Sequence, residues 1–277
     1  MENSQPNLFD LTGRVAVITG GTGLLGQQHA EAIARAGGVP VLADIRVSGV
    51  DPRSAAWKER FGERASAVQA DITDPRSVKA LLATVLDQYG RIDILVNNAA
   101  NNPKMENNAD VEFSRLENFP LEQWDADLNV GLKGAFLCSQ VIGSEMARRK
   151  GGVIVNVASD LAVIAPDQRL YRKPGLPEDQ QPVKPVTYSV VKTGLVGLTR
   201  YLATYWADRG IRVNAISPGG VYNNQPDDFV ERLAKLIPLG RMANTNEYQA
   251  AILFLCSDAS SYMTGANLVI DGGRSCW

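Results

Sequence analysis

The sequence predicts an α/β fold in which one doubly wound parallel sheet of about seven strands carries helices on both faces. Short apolar runs rich in Val and Ile recur along the chain, and such near-continuous apolarity is typical of strands buried on both faces. Stretches with helical periodicity separate these runs, and the alternation indicates β-α-β units with right-handed crossovers. The predicted strands are residues 14–19, 39–44, 65–71, 92–97, 152–159, 211–217 and 267–271, and the predicted helices are 24–37, 53–62, 75–89, 121–149, 187–208 and 245–257.

Length and charge narrow the classes of protein that fit. The 277 residues suffice for one large domain, which we expect to span 1–277. A hydrophobic content of 45% and a net charge of -2 give a globular balance with no electrostatic footprint for nucleic acid or a membrane surface. No window approaches the roughly 18 apolar residues of a membrane span, and the first residues lack a signal-peptide pattern. We therefore expect a soluble, cytoplasmic protein.

Cysteine and histidine content argues against a disulfide framework and against a metal site. Cys138, Cys256 and Cys276 are odd in number, far apart and without a CxxC pair, so we expect reduced thiols, two of them in the core. His29 is the only histidine, which makes a three-histidine metal site impossible, and its position on the first predicted helix indicates a structural residue.

Two segments interrupt the alternation of strands and helices. Residues 101–120 are polar and include Asn107 and Asn108, while residues 161–186 contain five prolines. Both follow the carboxyl ends of predicted strands, where open α/β sheets bind ligands, so we interpret them as substrate loops inserted into the domain. The alternative is disordered surface loops.

A glycine-rich turn follows the first predicted strand and opens the first helix. Glycine permits close backbone approach, so the exposed amino end of the helix could hold a pyrophosphate with its amide groups and dipole. The alternative is a tight turn without a ligand. The turn reads Thr19-Gly20-Gly21-Thr22-Gly23-Leu24-Leu25-Gly26, and the residues expected to contact a dinucleotide are Gly20, Thr22, Gly23, Leu24, Leu25 and Gly26.

Acidic residues end the second and third predicted strands. Asp44 lies 18 residues after Gly26, where a carboxylate accepts hydrogen bonds from an adenosine ribose and repels a 2′-phosphate. NAD is therefore favoured over NADP, although Arg46 could compensate in part. Asp71 is expected to meet the adenine edge, while Asp74 is interpreted as a helix cap. The neighbouring cofactor contacts are Ile45 and Ile72.

A tyrosine and a lysine four residues apart open the helix predicted from residue 187. Tyr188 and Lys192 project from one helix face, and a nearby ammonium together with a positive nicotinamide would favour the phenolate. Such spacing is common by chance, but Ser159 ends a preceding strand and can steady a substrate oxygen beside Tyr188. Asn129 interrupts a helical stretch, either as a local distortion or as a water-bound link in a proton path to Lys192.

These residues, in this order, resemble the short-chain dehydrogenase/reductase family from about Leu11 to Gly273. The resemblance implies a Rossmann-type fold in its compact branch and a homo-tetramer. It also implies that Asn129, Ser159, Tyr188 and Lys192 form a catalytic tetrad, with Lys192 also binding the nicotinamide ribose. The further cofactor contacts it implies are Asn98, Ala99 and Ala100 beneath the adenosine ribose and Pro218, Gly219 and Val221 along the nicotinamide.

The sequence departs from the family pattern in four places. Leu24 replaces the usual middle glycine, so the turn reads TGxxGxxG, as in the sugar-nucleotide-modifying branch. Ala100 ends the usual NNAG, and Asn223 stands where a carboxamide-binding threonine is expected. Ser159 and Tyr188 lie 29 residues apart, about twice the usual separation, because the segment 161–186 is inserted between them.

The insert carries charges of both signs. Arg169, Arg172 and Lys173 could bind a phosphate or carboxylate of the substrate, but Glu178 and Asp179 follow them, so a self-paired loop fits equally well. The carboxyl-terminal half is similar to members of bacterial surface-sugar or flagellin-glycan pathways. Gluconate-type polyol dehydrogenases are the nearest broader comparison.

The leading hypothesis is reversible hydride transfer between NAD(H) and a secondary alcohol or ketone, such as a sugar or sugar derivative. Two other hypotheses stay open. The first is sugar-nucleotide epimerisation or dehydration, which the TGxxGxxG turn suggests. The second is a catalytically idle NAD-binding sensor.

Overall fold

Seven parallel strands form one sheet in the computed structural model, which describes residues 7–101 and 114–277. The order is β3-β2-β1-β4-β5-β6-β7, so the doubly wound fold predicted from the sequence is confirmed. Each neighbouring pair is parallel, as expected for strands joined by helical crossovers. The strands are β1 Val15–Thr19, β2 Val39–Asp44, β3 Ser66–Gln69, β4 Ile94–Asn97, β5 Gly152–Val157, β6 Ile211–Pro218 and β7 Asn267–Ile270.

The main helices of the described chain agree with the predicted ones, with two differences. The predicted helix 121–149 is a continuous helix, α4, whose segments Asn129–Lys133 and Ser139–Gly143 are π-helical. A helix at Asp227–Ala234 was not predicted, because eight residues beginning with two aspartates give a weak periodic signal. The helices are α1 Leu24–Arg35, α2 Ala55–Phe61, α3 Pro75–Tyr89, α4 121–148, α5 Val186–Tyr205, α6 Asp227–Ala234 and α7 Gln249–Cys256.

The helices cover both faces of the sheet. Alternate residues of β1 show the division, since Val15 and Val17 pack toward α3, α4 and α5, whereas Ala16 and Ile18 pack toward α1, α2 and α7. A strand buried on both faces cannot alternate between apolar and polar residues, which explains the continuous apolar runs. None of the helices in the described ranges is long and apolar enough to cross a membrane.

The cysteines and the histidine lie as the sequence predicts. Cys138 and Cys256 are buried and Cys276 is exposed, and all three are free thiols. His29 is fully buried in α1, and burial lowers the pKa of its imidazole to about 4, so the ring is neutral.

A buried chain of amide and hydroxyl groups crosses the middle of the sheet. Asn97 and Asn156 occupy paired positions on β4 and β5, and Asn97 Nδ2 donates to Asn156 Oδ1 at 2.8 Å and to Ser139 Oγ of α4 at 3.1 Å. Asn156 Nδ2 donates to Thr199 Oγ1 of α5 at 2.8 Å. The two long helices are therefore tied to the same two strands by hydrogen bonds in a dry interior, where unpaired polar groups are costly.

Replacing Asn156 by Ala should lower the free energy of unfolding by about 2 kcal/mol, because the amide of Asn97 loses its acceptor and Thr199 loses its donor in the core. Urea denaturation measures this loss. The exposed Asn246→Ala serves as the control and should change stability by less than about 0.5 kcal/mol. Equal stability of the two variants would contradict a structural role for the chain.

Candidate active site

A cavity of about 350 Å³ opens at the carboxyl edge of the sheet. The glycine turn, the ends of β4, β5 and β6, the insert and the beginning of α5 line it. The strand order reverses between β1 and β4, and such a switch point is where open α/β sheets bind ligands. The structure thus brings both ends of the predicted site into one cavity.

Close packing explains the glycines of the turn. A Cβ on Gly26 would lie 2.2 Å from the carbonyl oxygen of Gly20, and one on Gly21 would lie 2.7 Å from Cα of Leu42. Gly20 has a φ of +61°, which favours glycine. At the start of α1, Gly23 provides no side-chain cap, so the first amide groups of the helix have no such acceptor. Leu24, at the position of the usual middle glycine, is tolerated because its side chain is exposed.

Asp44 lies at the end of β2, as predicted. Its carboxylate accepts hydrogen bonds from Thr22, at 3.1 Å from the amide nitrogen and 2.7 Å from Oγ1, and from the Arg46 amide at 3.2 Å. These bonds hold the carboxylate beside the glycine turn. The Arg46 guanidinium makes no ion pair in the described part of the chain. It is therefore still available to bind the 2′-phosphate of NADP, which is the alternative raised by the sequence.

At the end of β3, Asp71 and Asp74 have different roles. Asp74 caps α3 by accepting from the Arg76 amide at 2.9 Å, so its interpretation as a cap is confirmed. Asp71 Oδ1 accepts from the amide and the hydroxyl of Thr73, so one oxygen of this carboxylate is bonded within its own turn. Of the two isoleucines predicted to contact the cofactor, Ile45 is exposed, and Ile72 is buried against Gly134.

The segment after β4 packs directly on the glycine turn. Asn98 Nδ2 donates to the carbonyl oxygens of Thr19 and Gly20, at 3.0 and 3.1 Å, and Thr19 Oγ1 accepts from the amides of Asn98 and Ala99. Ala100 lines the cavity, as do Pro218, Gly219 and Val221 after β6. Asn223 also lines it, at the position of the expected threonine. Asn107 and Asn108 lie outside the described residues.

Ser159, Tyr188 and Lys192 converge at one end of this cavity. Ser159 Oγ donates to Asp160 Oδ1 at 2.8 Å and lies near enough to the Tyr188 hydroxyl to influence its pKa, while Lys192 Nζ donates to the Val157 carbonyl at 2.8 Å. Burial raises the pKa of Tyr188 above its ordinary value of 10, the Ser159 hydroxyl opposes this, and the Asp160 carboxylate adds to it. Burial thus keeps Tyr188 protonated when only the protein's own groups surround it, and the phenolate predicted from the sequence would need the positive nicotinamide in addition to Lys192.

Asn129 begins the first π segment of α4, beside α5. Its carbonyl oxygen accepts from the Gly134 amide five residues later, which is the wider π turn. The two helices approach closely, since a Cβ on Gly131 would lie 2.5 Å from Cγ1 of Val191. No direct bond joins Asn129 and Lys192 in residues 7–101 and 114–277, and the predicted water-bound link stays a prediction.

Four charged residues at the site were not found by sequence reasoning. Lys184 Nζ lies 3.8 Å from the centroid of the Tyr188 ring, nearer than Lys192 Nζ at 5.9 Å. Asp160 accepts from Ser159 Oγ at 2.8 Å and pairs with Arg274 at 2.7 Å, with both side chains buried. Asp127 joins α4 to α5 by accepting from Thr187 Oγ1, next to Tyr188, at 2.5 Å.

The insert pairs its own arginines. Arg169 binds Asp167 and Arg172 binds Glu178, so for these two cations the structure supports the self-paired loop. Gln181 holds the insert together by bonding Lys173 and the Leu176 carbonyl. The side chains that face the cavity are instead Leu170, Tyr171 and Lys184.

Known proteins resemble this chain in sequence and in fold. A family model described as short chain dehydrogenase matches residues 14–171, and one described as enoyl-(acyl carrier protein) reductase matches residues 179–275. The chain belongs to the short-chain dehydrogenase family. The family resemblance seen in the sequence is thereby confirmed.

Two relatives are equally similar to the chain. A D-threitol dehydrogenase of Mycolicibacterium smegmatis is 36% identical over 271 residues, covering 96% of this chain and 94% of the relative. An NAD-dependent glycerol dehydrogenase of Listeria innocua is 36% identical over 270 residues, covering 96% and 95%. The narrower resemblance to surface-sugar and flagellin-glycan members is not supported by these relatives and stays a prediction.

A solved structure shows the same fold with a cofactor. The gluconate 5-dehydrogenase of Burkholderia cenocepacia, in complex with NADP and tartrate, superimposes with a TM-score of 0.82 at 28% identity, covering 98% of each chain. The 277-residue chain is therefore an oxidoreductase. It transfers hydride between a nicotinamide cofactor and the carbinol or carbonyl carbon of a small molecule.

Removing the cation of the buried pair should be far more costly than removing an exposed one. We expect Arg274→Met to lower the free energy of unfolding by about 3–5 kcal/mol, because Asp160 is left buried without its partner. The double variant Asp160→Asn/Arg274→Met should recover much of that loss.

Chemical denaturation of the single and double variants provides the measurement. Arg169→Met, which breaks an exposed pair on the insert, is the matched control and should cost less than about 1 kcal/mol. A loss for Arg274→Met no larger than this control would show that the pair does not stabilise the site.

Proposed function

We propose that the protein interconverts a secondary alcohol and a ketone of the polyol or sugar class, with NAD(H) as the preferred cofactor. The observation that carries the proposal is the convergence of Ser159, Tyr188 and Lys192 in the cavity that the glycine turn also lines. The named activities of the relatives on threitol and glycerol support the substrate class.

The residues around the glycine turn fit a dinucleotide. The uncapped amides at the start of α1, near Gly23, would hold the pyrophosphate, and Asp44 would accept the adenosine ribose hydroxyls. Asn98, Ala99 and Ala100 would lie beneath that ribose, and residues 218–221 beside the nicotinamide. When bound, the nicotinamide ring supplies the acceptor or donor of the hydride.

Tyr188 would exchange the proton of the substrate hydroxyl, and Ser159 would donate a hydrogen bond to the same oxygen as charge develops there. Burial lowers the pKa of Lys192 to about 8, helped by repulsion from Lys184, so its ammonium is still largely protonated at neutral pH. That charge, added to a positive nicotinamide, would counter the burial that raises the pKa of Tyr188. Asn129 would support proton relay from Lys192 through water.

Epimerisation or dehydration is a second candidate, favoured only by Leu24 in the TGxxGxxG turn. That chemistry regenerates its cofactor in each cycle, so it would yield no net NADH. Steady accumulation of NADH at 340 nm with polyols as substrates would separate dehydrogenation from this candidate and from an idle NAD-binding sensor.

The assembly and its location are also proposals. Exposed apolar side chains on α4 and α5, including Phe136, Tyr201 and Tyr205, provide a surface for the homo-tetramer that the family resemblance implies. Three free cysteines suit the reducing cytoplasm. We also propose that residues 1–277 form one domain and that the segments 101–120 and 161–186 are its substrate loops.

Tyr188→Phe removes the hydroxyl that exchanges the proton and keeps the aromatic ring. Turnover should fall by at least about 100-fold, because general acid–base catalysis contributes on that scale, while the dissociation constant for NAD should change little. Stopped assays of NADH and fluorescence titration measure the two quantities. Turnover equal to that of the unaltered protein would eliminate the proposed role of Tyr188.

Asp44→Ala should move cofactor preference from NAD toward NADP. Loss of charge-assisted bonds to the ribose should raise the KM for NAD by about 10- to 100-fold, and removal of the repelling carboxylate should increase kcat/KM for NADP. The control is Asp51→Ala, in the nearby loop where the carboxylate accepts from the Arg53 amide. An unchanged ratio of the two cofactors' kcat/KM values would argue against Asp44 as the selecting residue.

A further inference from the structure

Positive charge dominates the wall of the cavity. The charged side chains lining it, within the ranges that the structure describes, are the cations Lys184, Lys192 and Arg274 and the single carboxylate Asp160. The lining therefore carries a formal excess of two positive charges, although the chain as a whole has a net charge of -2. A concave site of this kind attracts anions.

The protein itself satisfies two of the three cations. Arg274 pairs with Asp160 at 2.7 Å, and Lys192 Nζ donates to the Val157 carbonyl at 2.8 Å. The ammonium of Lys184 makes no hydrogen bond or ion pair with residues 7–101 and 114–277, and it lies over the face of the Tyr188 ring. An ammonium has three N–H donors, and an aromatic face satisfies them poorly.

Lys184 is also partly buried, and its backbone is held in place. Its backbone amide donates to Gln168 Oε1 at 2.8 Å, and Pro185 follows it at the start of α5. Burial lowers the pKa of its ammonium to about 8, with Asp160 opposing the shift. The other charged or titratable groups that line the cavity with Lys184 are Lys192, Tyr188, Tyr171 and Arg274. Asp127 lines a small neighbouring pocket together with Lys184, but its carboxylate already accepts hydrogen bonds from Asn101, Gln123 and Thr187. An ammonium that is withdrawn from water and has no ion-pair partner is stabilised when an anion binds it directly.

The position of Lys184 determines how far such an anion would lie from the reacting carbon of the substrate. The ammonium lies over the ring of Tyr188, and the hydroxyl of the same ring would contact the substrate oxygen. An anionic group on Lys184 would therefore lie only a few carbon atoms from the carbinol. Apolar side chains of Leu170, Tyr171 and Phe229 line the adjacent wall and supply no donors except the tyrosine hydroxyl.

We propose that Lys184 is a specificity-determining residue that binds a substrate carboxylate, and that the preferred substrates are hydroxy acids of the polyol type. This proposal rests on the proposed dehydrogenase function and names its substrate class. A carboxylate fits one free ammonium better than a phosphate does, because a phosphate presents three strong acceptor oxygens and about two negative charges.

The test compares threitol with threonate, in which a carboxylate replaces one terminal hydroxymethyl group. In the unaltered protein, kcat/KM with NAD should be higher for threonate. Lys184→Met should lower the ratio of kcat/KM for threonate to that for threitol by about 10- to 100-fold, chiefly through the KM for threonate. Lys184→Arg should retain part of the preference.

Lys173→Met is the matched control, because Lys173 belongs to the same insert and does not line the cavity. It should preserve the preference for threonate. Equal kcat/KM values for the two substrates in the unaltered protein, or equal losses for both in Lys184→Met, would overturn the assignment while leaving the dehydrogenase function intact.

Calorimetric titration of tartrate into the NADH-saturated protein separates the two proposals. If neither threonate nor threitol is oxidised, the proposed function fails on these substrates. Tartrate binding that weakens by about 10-fold or more in Lys184→Met would still support the carboxylate site, whereas equal binding by both proteins, or none by either, would refute it.

Discussion

The geometry of the site depends on the buried amide chain between β4 and β5. Asn97 and Asn156 fix the register of these strands and bind Ser139 of α4 and Thr199 of α5. The same two helices carry Asn129, Tyr188 and Lys192, and Ser159 follows β5 directly. A shift of one residue in β5 would move every side chain of that strand to the opposite face. The amide chain thus sets the positions from which the side chains proposed to be catalytic are presented.

Local sequence signals identified most of the fold and half of the site. The glycine turn and the tyrosine–lysine pair each lie within one β-α connection or one helix turn, so their spacing predicts their geometry. Asp160 and Arg274, 114 residues apart, meet only because β5 and the segment after β7 end at the same edge of the sheet. No periodicity reveals such a contact. The π segments of α4 give no separate signal in the sequence, because each spans only five residues inside a much longer helix.

Electrostatics in the cavity hold the tyrosine in its acid form until a cofactor is present. Two buried ammonium groups, Lys184 and Lys192, repel each other, and the pKa of each is about 8. Asp160 opposes ionisation of Tyr188 and is itself held by Arg274. Burial, to which the Asp160 carboxylate adds, therefore leaves Tyr188 protonated, and the positive ring of an oxidised cofactor is what would shift it toward the phenolate. Coupling of this kind would link proton transfer to cofactor binding.

Pro185 gives the insert a further consequence. It forms the amino-terminal boundary of α5 and restricts the backbone of the residue before it, so Lys184 is presented from a stiff junction between loop and helix. Because no strand supplies this side chain, a single substitution at the junction can change which molecules enter without altering how the sheet is built. The protein therefore offers an engineer, or natural selection, a position where substrate range can vary independently of the reaction itself.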